Sequence, residues 1–232
     1  MNHVVILAGG VGTRLGGEVP KQYIEIEGRP IISRCMDVLF SNCDVDTVRI
    51  VADNMWHEYL EEHIRLDVKQ YGYKWKGFCT PGENRQLSIW NALGVLVNEY
   101  GSDDLVMFHD AARPNIKSEF ISECFNAVGD HDGVMPILPV KDTMYLCNEK
   151  KIEGLLQRSK IFAGQAPEVF KIEKYYEANK ALLPDKIKKI NGSTEPAIMA
   201  GMDIVTIEGD EDNFKITTAT DLEKFKNLCA QK

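Results

Sequence analysis

The sequence predicts an α/β fold built on a doubly wound parallel sheet, and three observations carry that prediction. Short apolar runs alternate with amphipathic stretches along the whole chain. The spacing within the amphipathic stretches is helical, with apolar residues three and four positions apart. The first apolar run empties directly into a glycine-rich turn, "LAGGVGTRLGG", as a strand does when it feeds a ligand loop at a sheet edge.

The elements follow in order. "VVILA" (4–8), "VRIVA" (48–52), "LVMFH" (105–109) and "GVMPILPV" (133–140) read as strands bounded by turn residues. Helical patterns lie between them, at 30–40, 84–100 and 118–128. In the second of these Leu87, Trp90, Leu93, Val97 and Tyr100 recur on one face. Strands alternating with helices imply right-handed crossovers and a parallel sheet, whose ligands gather at the carboxyl ends of the strands. The glycine turn, the Asp53 turn and "HDAARP" (109–114) fall on that edge. From Pro139 to Lys160 the alternation breaks: two short apolar runs flank the polar turn "NEKK", a hairpin signature. An apolar hairpin leaving a sheet needs a surface to pack on, which is either a second copy of the chain or its own domain. Thr218 is placed to cap the last helix. With no repeat or long polar linker, residues 1–232 read as a single domain with an arm at 139–160.

Composition bounds the function. The chain has 232 residues, 44% hydrophobic and 27% charged, with a net charge of -8. That acidity argues against a dedicated nucleic-acid binder, while leaving room for a few cations converging on an anion. Six cysteines form no C-x-x-C pair and no Cys/His cluster, so reduced and mostly buried thiols are expected. No apolar stretch reaches membrane-span length, and "MNHVVILAGG" carries no signal-peptide pattern; a cytoplasmic protein without a membrane partner is expected.

The glycine turn has rivals to weigh. A dinucleotide turn needs G-x-G-x-x-G, but after Gly10 and Gly12 the third glycine slips to Gly16, and the acidic residue expected at the end of the next strand, about 20 positions on, has its nearest match at Asp53, much farther away. A P-loop would end in Gly-Lys-Ser/Thr, which is absent. What remains is a turn whose backbone N–H groups can surround phosphate oxygens, flanked by Arg14 and Lys21. Two cations and an amide nest suit a triphosphate; a plain strand–helix turn with solvated basic residues is the other reading. "PGENRQLSI" adds Gly82, Arg85 and Ser88 at a helix start. "HDAARP" sets Asp110 beside Arg113, a carboxylate for a hydrated cation next to a guanidinium for an anion. His109 could be a general base, although a structural histidine is the commoner use of that position. "GDEDNFKITTATDL" places Lys215 after a strand with Asp212 nearby.

Together "LAGGVGTRLG…PKQY", "GENRQLSI", "HDAARP", "PVKDT" and "DNFKITTATDL" resemble the cytidylyltransferases that make CDP-methylerythritol, and their relatives that make CDP-ribitol. The resemblance runs from Val4 to about Leu222. It implies a Rossmann-like, mostly parallel nucleotidyltransferase domain, a homodimer joined through a projecting β-arm, CTP and Mg²⁺. Carried onto matching positions, it implies that Ala8, Gly9, Gly10 and Gly12 hold the nucleotide and that Arg14 and Lys21 bind the triphosphate and stabilise the transition state. Gly82 and Ser88 would lie near cytosine and ribose, with Arg85 supporting their loop. Asp110 would meet the metal and Lys215 the reacting phosphate. Arg113, Thr143, Arg158 and Thr194 would serve the acceptor.

Two departures fall in the acceptor half. The family's Gln-Thr-Pro-Gln is Gln165-Ala166-Pro167-Glu168 here, and its Thr-Asp is Thr194-Glu195, followed by Pro196. "LAGG" in the first loop resembles the ribitol branch, so ribitol 5-phosphate or a similar sugar-alcohol phosphate is the expected acceptor, with 2-C-methyl-D-erythritol 4-phosphate as the alternative. An NAD-dependent oxidoreductase and an inactive nucleotide-binding module are the readings from other classes; the missing dinucleotide turn counts against the first and the intact cationic set against the second.

Overall fold

The computed structural model describes residues 1–10, 19–67 and 71–230. Among these described residues, twelve strands and seven α-helices follow in the order β1 (Asn2–Leu7), β2 (Glu25–Ile26), β3 (Arg29–Pro30), α1 (Ile31–Ser41), β4 (Thr47–Val51), α2 (His57–Asp67), β5 (Trp75–Cys79), α3 (Arg85–Glu99), β6 (Leu105–Asp110), α4 (Ser118–Val128), β7 (Gly133–Pro139), β8 (Tyr145–Asn148), β9 (Lys151–Leu155), β10 (Phe162–Gly164), β11 (Glu168–Lys171), α5 (Ile172–Lys180), α6 (Glu195–Met199), β12 (Ile204–Glu208) and α7 (Ala219–Cys229).

The central sheet has the order β10-β7-β11-β6-β1-β4-β5, with β12 also pairing β7. β1 runs parallel to β4 and β6, β4 to β5, and β12 to β7. β11 is antiparallel to both β6 and β7, and β10 is antiparallel to β7, so the sheet is mixed and mostly parallel.

Both faces of this sheet are covered, which is why its strands read as unbroken apolar runs rather than alternations. Side chains still alternate between the layers. Val4 and Ile6 of β1 pack with Ile32, Met36 and Phe40 of α1, Leu60 of α2 and Ile121 of α4. Val5, one position between, packs on the other face with Ile89, Leu93 and Leu96 of α3 and Tyr175 of α5. The buried stripe of α3 is therefore Gln86, Ile89, Ala92, Leu93 and Leu96, not the 87-90-93-97-100 face expected from spacing. Only Leu93 is common to both. α3 is wedged between the sheet and α5, so its second face is half covered too: Trp90 stacks on Tyr176 at 4.8 Å.

The expected helix over 118–128 is α4, and Thr218 caps α7 through a reciprocal capping box with Asp221. The hairpin is also present: β8 and β9 pair around Glu149-Lys150, with Glu149 at a φ of 52°. All six cysteines are free, with Cys35, Cys79 and Cys124 buried and Cys43 and Cys147 exposed. Half of them, not most, are core thiols. No helix among the described residues is long and apolar enough to cross a membrane.

Candidate active site

The chain leaves β1 for β4 and β5 on one side, then crosses to β6 on the other, which makes the β1–β6 gap the switch point of the sheet. There the register sets Leu7 opposite Asp110, so the turn after β1 and the turn after β6 meet by construction. The turn is tied down from below. Buried Gln22 donates from Nε2 to the Ala8 carbonyl at 2.6 Å and to the Gly10 carbonyl at 2.7 Å, and Tyr23 donates to Ala8 at 3.2 Å. A side chain at Gly9 would meet the Pro81 ring at 2.7 Å, so the close approach of the β1 and β5 turns requires glycine.

The β5 turn is equally constrained. Asn84 caps α3 by accepting from the Leu87 N–H. Ser88 Oγ accepts from the Gly82 N–H at 2.9 Å and donates to the Asn84 carbonyl. A Cβ at Gly82 would fall 2.4 Å from that of Leu87. The result is a cleft of about 480 Å³ bordered by Gly9, Gly10, Lys21, Gly82, Ser88, Arg85, Asp110 and Lys215. The volume suits a small-molecule ligand. Gly12 and Arg14 lie outside the described residues.

A second cleft, also about 480 Å³, adjoins it and is lined by Arg113, Ala166, Glu168, Ser193, Thr194 and Glu195. Arg85, Asp110 and Lys215 line both clefts and form their common wall. Asp110 is the hub. Its Oδ1 lies 3.2 Å from Arg85 Nε, and its Oδ2 lies 3.0 Å from Lys215 Nζ and 3.5 Å from Arg113 Nε. Burial alone would raise the Asp110 carboxyl, but Arg85, Lys215 and Arg113 together hold it well below the usual carboxylate range. One fixed anion thus gathers three cations that would otherwise repel one another.

The second cleft contains polar atoms with unused capacity. Thr194 Oγ1 and Arg113 Nε are buried without a hydrogen-bond partner, since 3.5 Å to Asp110 is an ion pair but not a hydrogen bond. Arg113 is aimed by its Nη1, which donates to the Asn213 carbonyl at 2.7 Å, while Asn213 Nδ2 donates to Ala166. The 209–215 loop is thereby laced to the turn between β10 and β11. Gln165 completes the lacing, exchanging two bonds with the Asp210 backbone.

Of the expected site residues, Gly9, Gly10, Lys21, Gly82, Arg85, Ser88, Asp110 and Lys215 come together around the first cleft, and Arg113 and Thr194 around the second, while Ala8 is buried with its carbonyl held by Gln22 and Tyr23. Thr143 and Arg158 do not join them within one chain. Thr143 is exposed on the approach to the arm, and Arg158 donates to the Lys141 carbonyl beside Ser159 and Phe162. Asp212 turns away and pairs with Lys117 at 3.1 Å. His109 is buried, with Nε2 donating to the Arg113 carbonyl at 3.0 Å; burial lowers it to about 4, so it is neutral at pH 7, and it lines neither cleft. Gln22, Asn213, Ser193 and Glu168 were not assigned roles from the sequence. "PKQY" signalled Gln22 and the departure at Glu168 signalled that residue, but nothing marked Ser193.

The comparisons agree with this geometry. The family model for 2-C-methyl-D-erythritol 4-phosphate cytidylyltransferase, IspD, matches residues 2–229. A ribitol-5-phosphate cytidylyltransferase of Streptococcus agalactiae serotype Ia is 31% identical over 235 residues, spanning 98% of this chain and 95% of its own. A 2-C-methyl-D-erythritol 4-phosphate cytidylyltransferase of Thermotoga neapolitana is also 31% identical, over 231 residues covering 100% and 98%. The crystal structure of a 4-diphosphocytidyl-2C-methyl-D-erythritol synthase from Anaerococcus prevotii shares the fold, with a TM-score of 0.82 at 20% identity over 100% of this chain and 98% of that one. The chain belongs to the IspD family and is a cytidylyltransferase.

Proposed function

We propose that the chain transfers CMP from CTP to the phosphate of a sugar-alcohol phosphate, ribitol 5-phosphate, releasing pyrophosphate. The observation that carries this reading is the wall shared by the two clefts, Arg85, Asp110 and Lys215. A group transfer between two anionic substrates needs two pockets that meet at a cationic boundary. The "LAGG" loop supports ribitol 5-phosphate. The second reading, 2-C-methyl-D-erythritol 4-phosphate, is supported by the family model and by the Thermotoga relative at equal identity.

In this reading a phosphate oxygen of the acceptor attacks the α-phosphorus of CTP in line. The new P–O bond forms as the α–β bridging bond breaks, and pyrophosphate leaves with the electron pair. A phosphate monoester is largely ionised near neutral pH, its second pKa being about 6. No general base is required, in keeping with the buried, neutral His109. Catalysis becomes positioning and charge neutralisation. Arg14 and Lys21 hold the triphosphate; Ala8, Gly9, Gly10 and Gly12 enclose it; Gly82 and Ser88 border the base and ribose. Lys215 and Arg113 receive the acceptor phosphate, and Thr194 a hydroxyl.

Among the described residues no group of three or more His, Cys, Asp or Glu could hold a metal by itself. Asp110 would hold a Mg²⁺ that arrives with the triphosphate, since one carboxylate plus substrate phosphates is a common way to bind that ion. Bound there, it would supply charge neutralisation on the phosphates.

The arm belongs to the same reading. Tyr145, Leu146, Ile152 and Leu155 are 52%, 51%, 67% and 68% exposed. An isolated two-stranded hairpin with such a surface is marginal by itself. A second copy would cover it, forming a homodimer in which Thr143 and Arg158 reach the partner's acceptor cleft. The test is pyrophosphate release from CTP and Mg²⁺ against a panel of polyol phosphates. Ribitol 5-phosphate should be the best acceptor, and ATP and GTP should be poor donors. No release with any acceptor would overturn the reading.

A further inference from the structure

Glu168, the first residue of β11, adds a second carboxylate, after Asp110, to the ion cluster of the acceptor cleft, where the ion pairs do not need one; Glu195, also in that lining, accepts instead from the Asn191 N–H. Glu168 is 6% exposed and lines that cleft. One of its oxygens accepts the Ser193 hydroxyl, and the other faces Arg85 Nη2 at 3.5 Å, a long contact. Neither neighbour requires the charge. A neutral amide oxygen would accept from Ser193 equally well, and Arg85 already has Asp110 at 3.2 Å. With Glu168, the cluster holds two carboxylates against Arg85, Arg113 and Lys215, which weakens its pull on a phosphate. That cost implies an offsetting use.

A carboxylate has about four lone-pair sites, and two of those on Glu168 are uncommitted in a cleft that also contains the unpartnered Thr194 Oγ1. The groups that fit are hydroxyls, which donate where a carboxylate can only accept. We infer that Glu168 is a specificity-determining residue that accepts hydrogen bonds from the hydroxyls of the acceptor and selects an unbranched polyol phosphate over a methyl-branched one. The assignment rests on the proposed cytidylyl transfer. Ribitol 5-phosphate has a hydroxyl on every carbon that does not bear the phosphate. Methylerythritol phosphate has one hydroxyl fewer and a methyl branch, and a methyl set against a buried carboxylate leaves its two open lone-pair sites desolvated and unfilled.

The test is steady-state kinetics of the full chain with CTP, Mg²⁺ and each of the two acceptors, for wild type and Glu168→Gln. The wild type should prefer ribitol 5-phosphate. Because a site built to pair a hydroxyl discriminates through that pair, Glu168→Gln should raise KM for ribitol 5-phosphate and lower the preference ratio by about tenfold or more. KM for CTP should stay within about twofold, since the cytosine and triphosphate contacts are elsewhere. An unchanged ratio, or an equal loss on both acceptors with a matching rise in KM for CTP, would mean that Glu168 only steadies Arg85 and would overturn the inference. Should Glu168→Gln fail to fold, Glu168→Asp keeps a charge near Arg85 but withdraws it by one methylene. It should lower the same ratio several-fold, and a wild-type ratio there overturns the assignment. A wild type that turns over neither acceptor would overturn the functional reading and this inference together, whereas turnover without a change in selectivity overturns the inference alone.

Discussion

The two clefts differ in how far a single chain completes them. Around the nucleotide cleft the polar groups have partners: Gln22 holds the Ala8 and Gly10 carbonyls, Ser88 takes the Gly82 N–H and Asn84 closes the helix start. Glycine is demanded at Gly9 and Gly82 by contacts under 3 Å. The acceptor cleft has Thr194 Oγ1 and Arg113 Nε without hydrogen-bond partners, and Thr143 and Arg158 stand away from it. Buried polar groups are seldom left without partners, so such a cleft is made to be filled. The difference teaches that the donor half is a property of one chain's backbone, while the acceptor half depends on what enters it.

The largest expected effect comes from breaking the donor half. Lys21→Ala should lower kcat/KM by about 10²-fold or more with either substrate varied, as loss of one preorganised charge does. Arg158→Ala, by contrast, should act through KM for the acceptor and leave KM for CTP near the wild-type value. Near-normal kinetics in Lys21→Ala would remove it from the mechanism, and a CTP defect in Arg158→Ala would erase the distinction between the clefts.

A smaller effect lies beneath the wall between them, in stability rather than rate. Burial lowers the His109 imidazole from 6.5 to about 4. Between those values the unfolded chain binds a proton that the native chain does not, so stability falls as the pH falls. The slope is about 1.4 kcal/mol per pH unit and the loss over the window about 3 kcal/mol. The lowered pKa of buried His3 acts in the same sense. Urea midpoints measured from pH 7 to pH 4 should show this decline, and His109→Gln should flatten it. Equal slopes in the two proteins would show that His109 does not govern the acid limb.

The same contrast marks what could be read from the sequence. The donor half is local: "LAGG", "GENRQLS" and "HDAARP" are each a strand end plus a turn, and turn chemistry is written in adjacent residues. The strands β1, β4, β6 and β7 were legible because burial on both faces leaves unbroken apolar runs. β11 was not, since four residues, "EVFK", carry no period, and their antiparallel insertion between β6 and β7 is a tertiary choice. β5, "WKGFC", was missed for a similar reason: it is short and contains Gly77 at a φ of 90°. The ion cluster was legible only as separate charges. Arg85 and Asp110 are 25 positions apart, and nothing in either segment states that they touch. Nor could spacing choose the buried face of α3, because α5, which covers its other side, was itself unseen.

The central claim is that the acceptor half is completed by a second copy of the chain, and subunit complementation tests it most directly. Assayed with the acceptor well below its KM for Arg158→Ala, the Lys21→Ala and Arg158→Ala homodimers should each have little activity. When equal amounts are mixed and allowed to exchange, half of the dimers are mixed. In those, one site carries both lesions and the other neither, so roughly a quarter of the wild-type sites should return by the two-fold symmetry of the dimer. Recovery of about that size is the predicted result. If exchange is shown to occur and no activity returns, Arg158 serves its own chain and the account of the acceptor half is wrong.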